Sequence, residues 1–75
     1  MPKDQAEEIE RTFARAERAV MRLEGVNGVA LGEESGKPCI VVYVDRATPE
    51  LRRRVVAVCK DMRLRLEESG PFQAQ

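Results

Sequence analysis

The serines and cysteines of this 75-residue chain are its candidate nucleophiles: Ser35, Cys39, Cys59 and Ser69. Acyl transfer by a hydroxyl or a thiol needs a general base and a third group that orients this base. The chain has no histidine, so the commonest base is absent. The adjacent carboxylates at 33–34 and 67–68 fall in a predicted turn and at a predicted strand end, where solvated charges are commoner than acid–base pairs. A domain of this size also rarely encloses a catalytic pocket, so we predict a protein that is not an enzyme.

Metal and redox chemistry are limited by the cysteine count. Cys39 and Cys59 do not form a CxxC pair, and two thiols without histidine are too few for a structural zinc site. The glycines of GVNGVALG are spaced unlike a phosphate-binding loop and precede a strand, so we predict no metal and no cofactor. We interpret both cysteines as reduced thiols that pack as small hydrophobic residues, with redox sensing as the alternative.

The location of the protein is predicted from its N-terminus and its apolar runs. The N-terminal stretch MPKDQAEEIE is acidic and lacks the apolar region of a signal peptide. The longest wholly apolar run, residues 39–44, is far shorter than the ~20 residues that span a bilayer. We therefore expect a cytoplasmic protein with no membrane contact.

A short basic stretch is the best sequence signal for nucleic-acid binding. Three arginines open a predicted helix and two more follow in the next element, but the chain as a whole has thirteen basic and thirteen acidic residues. A single tyrosine offers little base stacking. We therefore interpret these arginines as a solvated surface. The alternative is a nucleic-acid-binding module with a basic patch of Arg52, Arg53, Arg63 and Arg65.

Apolar spacing and turn residues divide the chain into five elements. Apolar residues three and four apart before Gly25 indicate an amphipathic helix. The polar residues 33–37 connect two short apolar runs as a hairpin, and Thr48-Pro49-Glu50 has the features of a helix start. Alternation with period two then indicates a final strand. We predict a helix over 4–24, strands over 26–32 and 38–45, a helix over 49–60, a strand over 62–68 and a tail over 69–75, in one domain.

This order predicts an α+β fold. The hairpin makes the first two strands antiparallel, and a right-handed crossover through the second helix returns the third strand parallel to the second. The expected architecture is a two-layer sandwich in the order α-β-β-α-β, with a three-stranded mixed sheet and two helices on one face. It is a reduced form of the ferredoxin-like arrangement.

The central strand CIVVYV predicts an interaction surface because it is apolar on both faces. Ile40, Val42 and Val44 join the core with the helix stripes and with Val29, Leu31, Leu64 and Leu66. The second face then presents Val41 and Tyr43 beside Ala30, and nothing in the predicted architecture covers these residues. Exposed apolar surfaces of this kind tend to mark contacts. We expect a non-enzymatic interaction module, most simply a homodimer formed sheet to sheet or edge to edge, with Val41, Tyr43 and Ala30 in the interface. Docking onto a different protein is the alternative.

The run LEGVNGVALGEESGKPCIVVYVDRATPELRRR and the later MRLRLEESGPF resemble a small, uncharacterised α+β domain of bacterial proteins. That domain occurs alone or N-terminal to trypsin-like serine protease domains, with patterns of the type PGVxGVGxG and GKPxIxVYV, a P-E helix start and a VxVxxxG end strand. The resemblance covers residues 23–72 and implies a compact module without known activity. Glu24 replaces a common proline and VVAVCKD replaces a looser connection, and no protease residues carry over. A regulatory, pro-domain-like binding module is the role that the resemblance adds.

Overall fold

A computed structural model describes residues 3–60 and 62–69 of the protein. These residues form a three-stranded mixed sheet with helices packed on one side. The central strand is antiparallel to the first strand of the chain and parallel to the last. The predicted α+β class and the α-β-β-α-β order are confirmed. Of the predicted tail, residues 70–75 lie outside the described residues. The elements are α1 Lys3–Met21, β1 Val26–Glu34, β2 Lys37–Val44, α2 Pro49–Val58 and β3 Arg63–Glu68.

The core is built on alternate residues of β2. Ile40, Val42 and Val44 have no accessible surface, because the central strand has a strand on either side and helices above this face. Val20 of α1 and Val55 of α2 pack into the same cluster and are equally inaccessible. Because side chains alternate along a strand, the residues between these three point to the other side of the sheet.

The hairpin between β1 and β2 is tighter than the predicted connection of residues 33–37. Ser35 and Gly36 alone form the turn, with φ of 51° and 79°. Positive φ at both central residues is the type I′ geometry, whose twist matches that of the strands. Glu34 and Lys37 are facing partners, so β1 extends two residues beyond the predicted end at 32. Leu31, predicted to be in the core, is 45% exposed because β1 is an edge strand.

The first helix ends at Met21, three residues before the predicted end at 24. The amide of Leu23 donates to the carbonyl of Val20, three residues back, so the chain tightens after the last regular turn. The Val26 amide then donates to the Leu23 carbonyl, closing a turn whose third residue, Gly25, has φ of 93°. That position of a type II turn requires positive φ, which glycine adopts without strain.

The start of the second helix confirms the predicted cap. The Leu51 amide donates to Thr48 Oγ1 at 3.1 Å, and Pro49 occupies the first turn. The helix ends at Val58, two residues before the predicted end at 60, because Cys59 has left the helical conformation with φ of −113° and ψ of 45°. The Cys59 side chain is buried in the core cluster, which anchors this end of the helix to the sheet.

Candidate interaction surface

The side of the sheet opposite the helices, here called the open face, is made of three rows of side chains in register. The central row belongs to β2, the row of smallest residues to β1 and the charged row to β3. In the described part of the chain, both helices pack on the other side. The members of the open face are Gly28, Ala30 and Gly32 on β1, Cys39, Val41 and Tyr43 on β2, and Arg63, Arg65 and Glu67 on β3.

The β1 row has almost no side chains, and the neighbouring β2 side chains lie over it. A Cβ built on Gly32 would be 3.2 Å from Cγ2 of Val41, and one built on Gly28 would be 3.9 Å from Cδ2 of Tyr43. Val41 and Tyr43 are therefore half-buried within the chain's own sheet. An aromatic side chain that covers an edge-strand glycine also helps to pin strand register. The result is a low, flat apolar surface in which Ala30 and Val41 are direct cross-strand partners.

Cys39 belongs to the open face by register but is 1% exposed. Its partner on β1 is Gly32 and its partner on β3 is Arg63. Arg63 Nη1 lies 3.5 Å from Oε1 of Glu34 on β1, so the arginine side chain crosses β2 beside the cysteine. The thiol donates a hydrogen bond to the Ile40 carbonyl at 3.6 Å. Cys39 is thus a thiol that the chain itself already covers.

Two members of the charged row on β3 pair with each other. Arg65 Nη2 lies 2.9 Å from Oε1 of Glu67, two residues along the same strand. Both side chains keep about half of their surface accessible, at 55% and 41%. Exposed ion pairs of this kind contribute ~0–1 kcal/mol to stability. The row therefore serves as a polar border to the apolar surface more than as a source of stability.

The four arginines of the predicted basic patch do not form one surface. Arg52 and Arg53 are exposed on α2, which packs on the helix side of the sheet. Arg63 and Arg65 are on the open face, because the leucines that alternate with them pack against the core. The sheet separates the two pairs, and both β3 arginines are within reach of a carboxylate. A single nucleic-acid strand would have to pass around the sheet to contact all four.

A polar cluster at one end of the sheet was not predicted from the sequence. Asn27 occupies a bulge in β1, where the register shifts. Its side-chain Nδ2 donates to Asp45 Oδ1 at 2.7 Å and to Ser69 Oγ at 3.0 Å. Glu68 Oε2 accepts a hydrogen bond from the Ala47 amide at 2.8 Å. These bonds join the ends of all three strands. The signal in the sequence was an asparagine between valine and glycine inside a strand, a composition typical of a bulge.

Next to this cluster, an open cleft of about 550 Å³ lies between the end of β2 and the start of α2. Asp45, Arg46 and Thr48 border it, together with Glu50 and Arg54. The guanidinium of Arg54 is 2.7 Å from Oε1 of Glu50, so these two charges satisfy each other. No cysteine or serine is among its lining residues, and the hydroxyl that borders it, Thr48 Oγ1, accepts the hydrogen bond that caps α2.

The remaining chemistry of the described residues is sparse. Burial raises the pKa of the Cys59 thiol, which makes its nucleophilic thiolate scarce at neutral pH. Cys39 and Cys59 are on opposite sides of the sheet and both are free. Within residues 3–60 and 62–69, no group of three His, Cys, Asp or Glu side chains is placed to hold a metal ion. Neither helix, over its described residues, is long and apolar enough to cross a membrane.

Comparison of the chain with protein-family models, with curated proteins and with solved structures found no match.

Proposed function

We propose that this protein is a non-enzymatic interaction module that associates with a second copy of itself through the open face. The observation that carries the proposal is the half-buried pair Val41 and Tyr43 on the central strand, which the described part of the chain leaves without a covering layer. Sheets of this size are normally stabilised by a second layer on each apolar face. A second copy supplies such a layer with the same residues on both sides of a twofold axis.

The surface also has the anatomy of an interface. Its centre is the apolar β2 row, and the surface is flat beside it because the β1 row consists of two glycines and Ala30. Its border on β3 carries charged side chains. An apolar centre with a polar rim is typical of protein–protein contacts. A cytoplasmic location belongs to the same proposal and is supported by the two free cysteines.

Solution mass by light scattering, measured over a range of protein concentrations, tests the proposal. We expect the wild-type chain to associate and Val41→Asp to lose this contact, because a carboxylate would be buried without a partner. Tyr43→Asp should act in the same direction. Val56→Asp is the matched control, since Val56 is 50% exposed on the helix side. Circular dichroism checks that each variant is folded.

The outcomes separate the candidate occupants of the face. A wild-type chain that remains monomeric at every concentration would overturn self-association. Capture of a different protein by wild type, but not by Val41→Asp, would then support the regulatory, pro-domain-like role that the family resemblance implies. Equal loss of mass in Val56→Asp and Val41→Asp would show that the open face is not the contact.

A further inference from the structure

The outer edge of β3 presents unpaired backbone groups. The Ser69 amide donates to the Val44 carbonyl at 2.9 Å, so the backbone of Ser69 faces β2. Because backbone groups alternate in direction along a strand, the amides and carbonyls of Leu64, Leu66 and Glu68 face away from β2. In the described ranges no other strand pairs with this edge. An unprotected edge of this kind is a template for pairing with another chain.

The side chains of β3 make this edge self-complementary. If β3 of a second copy pairs antiparallel with this edge in a register centred on Leu66, the two Leu66 side chains face each other on the helix side of the sheet. On the open face, the same register places Arg65 of each copy opposite Glu67 of the other. A register centred on Arg65 would bring the two copies of that arginine together, and one centred on Glu67 would bring two carboxylates together. Unlike charges directly opposite stabilise a strand pair, and like charges destabilise it.

The backbone geometry supports the same register. The backbone amide and carbonyl of Leu66 face outward, so the two Leu66 residues exchange both of their backbone hydrogen bonds. Each Leu64 does the same with Glu68 of the other copy. This gives about six hydrogen bonds, two for each facing pair. Arg65 and Glu67 form pairs of the other type, in which the Cα atoms are closer, about 4.5 Å apart. The ion pairs therefore fall where side chains of facing strands come nearest.

We propose that two copies of this chain pair antiparallel through the edges of β3, centred on Leu66, and form one continuous six-stranded sheet. The twofold axis is perpendicular to the sheet, so the open faces of both copies lie side by side and stay accessible. This contact goes beyond the association through the open face and does not depend on it. A protein that uses both contacts forms a tetramer with D2 symmetry if their twofold axes meet at right angles.

Charge complementation tests the edge contact. Arg65→Glu and Glu67→Arg, each prepared alone, bring like charges together across the edge and should not pair through it. Mixed with each other they should form a heterodimer, because the introduced glutamate then faces the introduced arginine, and the unchanged Glu67 of one variant faces the unchanged Arg65 of the other. Each variant is made in the Val41→Asp background, which removes the open-face contact. There the parent should have twice the mass of the 8.5 kDa chain, and each single charge variant should fall to the chain mass.

Hydrogen exchange of individual amides adds a readout of the register. The outward amides of Leu64, Leu66 and Glu68 should exchange slowly in the associated protein and quickly in Arg65→Glu. The amides of Arg65 and Glu67, which face β2, should stay protected in both. Arg53→Glu, an equal charge change on the exposed surface of α2, should leave mass and exchange unchanged.

Three results would overturn the edge contact: a monomeric Val41→Asp parent, no heterodimer in the mixture of the two charge variants, or rapid exchange of the Leu66 amide in the associated protein. A monomeric Val41→Asp parent beside an associated wild type would overturn the edge contact and leave the open-face contact standing. A Val41→Asp dimer of the same mass as wild type would support the edge contact and contradict the open-face contact.

Discussion

Neighbouring valines on β2 allow the two faces of the sheet to be compared by one kind of substitution. Val42 is fully inaccessible between the sheet and the helices, whereas Val41 is half-buried on the open face. Valine to alanine removes two carbon atoms at either position, and each buried methylene contributes ~0.8 kcal/mol. The transfer loss at Val42 is therefore ~1.6 kcal/mol, and the cavity left in the core adds to it. We expect Val42→Ala to lower the free energy of unfolding by ~2–3 kcal/mol.

This loss is large for a chain of 75 residues. At ~0.05–0.15 kcal/mol per residue, the whole domain has a free energy of unfolding of roughly 4–11 kcal/mol. The thermal midpoint of a domain this small shifts by ~4–8 °C per kcal/mol, so Val42→Ala should lower it by roughly 10–20 °C. Val41→Ala should cost the dissociated chain under ~1 kcal/mol, because part of that side chain is already in water.

Urea unfolding followed by circular dichroism, at a low and a high protein concentration, measures both losses. The loss for Val41→Ala should grow with concentration, because association that needs the open face stabilises the wild-type native state by mass action. The loss for Val42→Ala should be largely the same at both concentrations. Equal losses for the two variants at the low concentration would contradict the assignment of these valines to different faces.

Two further predictions concern the turn and the buried thiol. Gly36→Ala forces a side chain into a conformation with φ of 79° and should lower the free energy of unfolding by ~1–2 kcal/mol in urea titrations, whereas Ser35→Gly, at φ of 51°, should cost far less; equal losses would argue against the type I′ turn. Because burial raises the pKa of Cys59, the native state holds the thiol proton to a higher pH than the unfolded state does. The free energy of unfolding should therefore be unaffected by this group below the ordinary thiol pKa of ~8.5 and decrease as pH rises above it. Cys59→Ala should remove that part of the pH dependence, and an identical slope in the variant would refute it.

Much of the fold could be predicted because local chemistry and pattern agree in this chain. Thr48 and Pro49 specify a helix start whatever lies around them, since a hydroxyl cap and a preset φ act within one turn. The element bounds were less accurate, because they depend on backbone hydrogen bonds at the ends. The first helix was predicted to run up to Gly25, but it ends at Met21 and the glycine belongs to the turn into β1.

The candidate site was only partly predictable. Alternation along β2 placed Val41 and Tyr43 on the face away from Val42, and pairing with β1 placed Ala30 beside them. Asn27 could not be assigned, because its role depends on partners eighteen and forty-two residues away in sequence. The sheet separates the predicted basic residues, since Arg52 and Arg53 are exposed on α2 whereas Arg63 and Arg65 lie on the open face.

Local sequence was enough to specify the elements, their order and the two-sided apolar character of the central strand, because helix caps, turn residues and hydrophobic period act over a few neighbouring residues. The register, and with it the choice of which side chains face each other, was set only when the strands aligned in the folded chain. Register brought Arg63 across Cys39 to Glu34 and placed Arg65 beside Val41. Such contacts depend on how strands align over long sequence separations, where a shift of one residue sends every side chain to the other face.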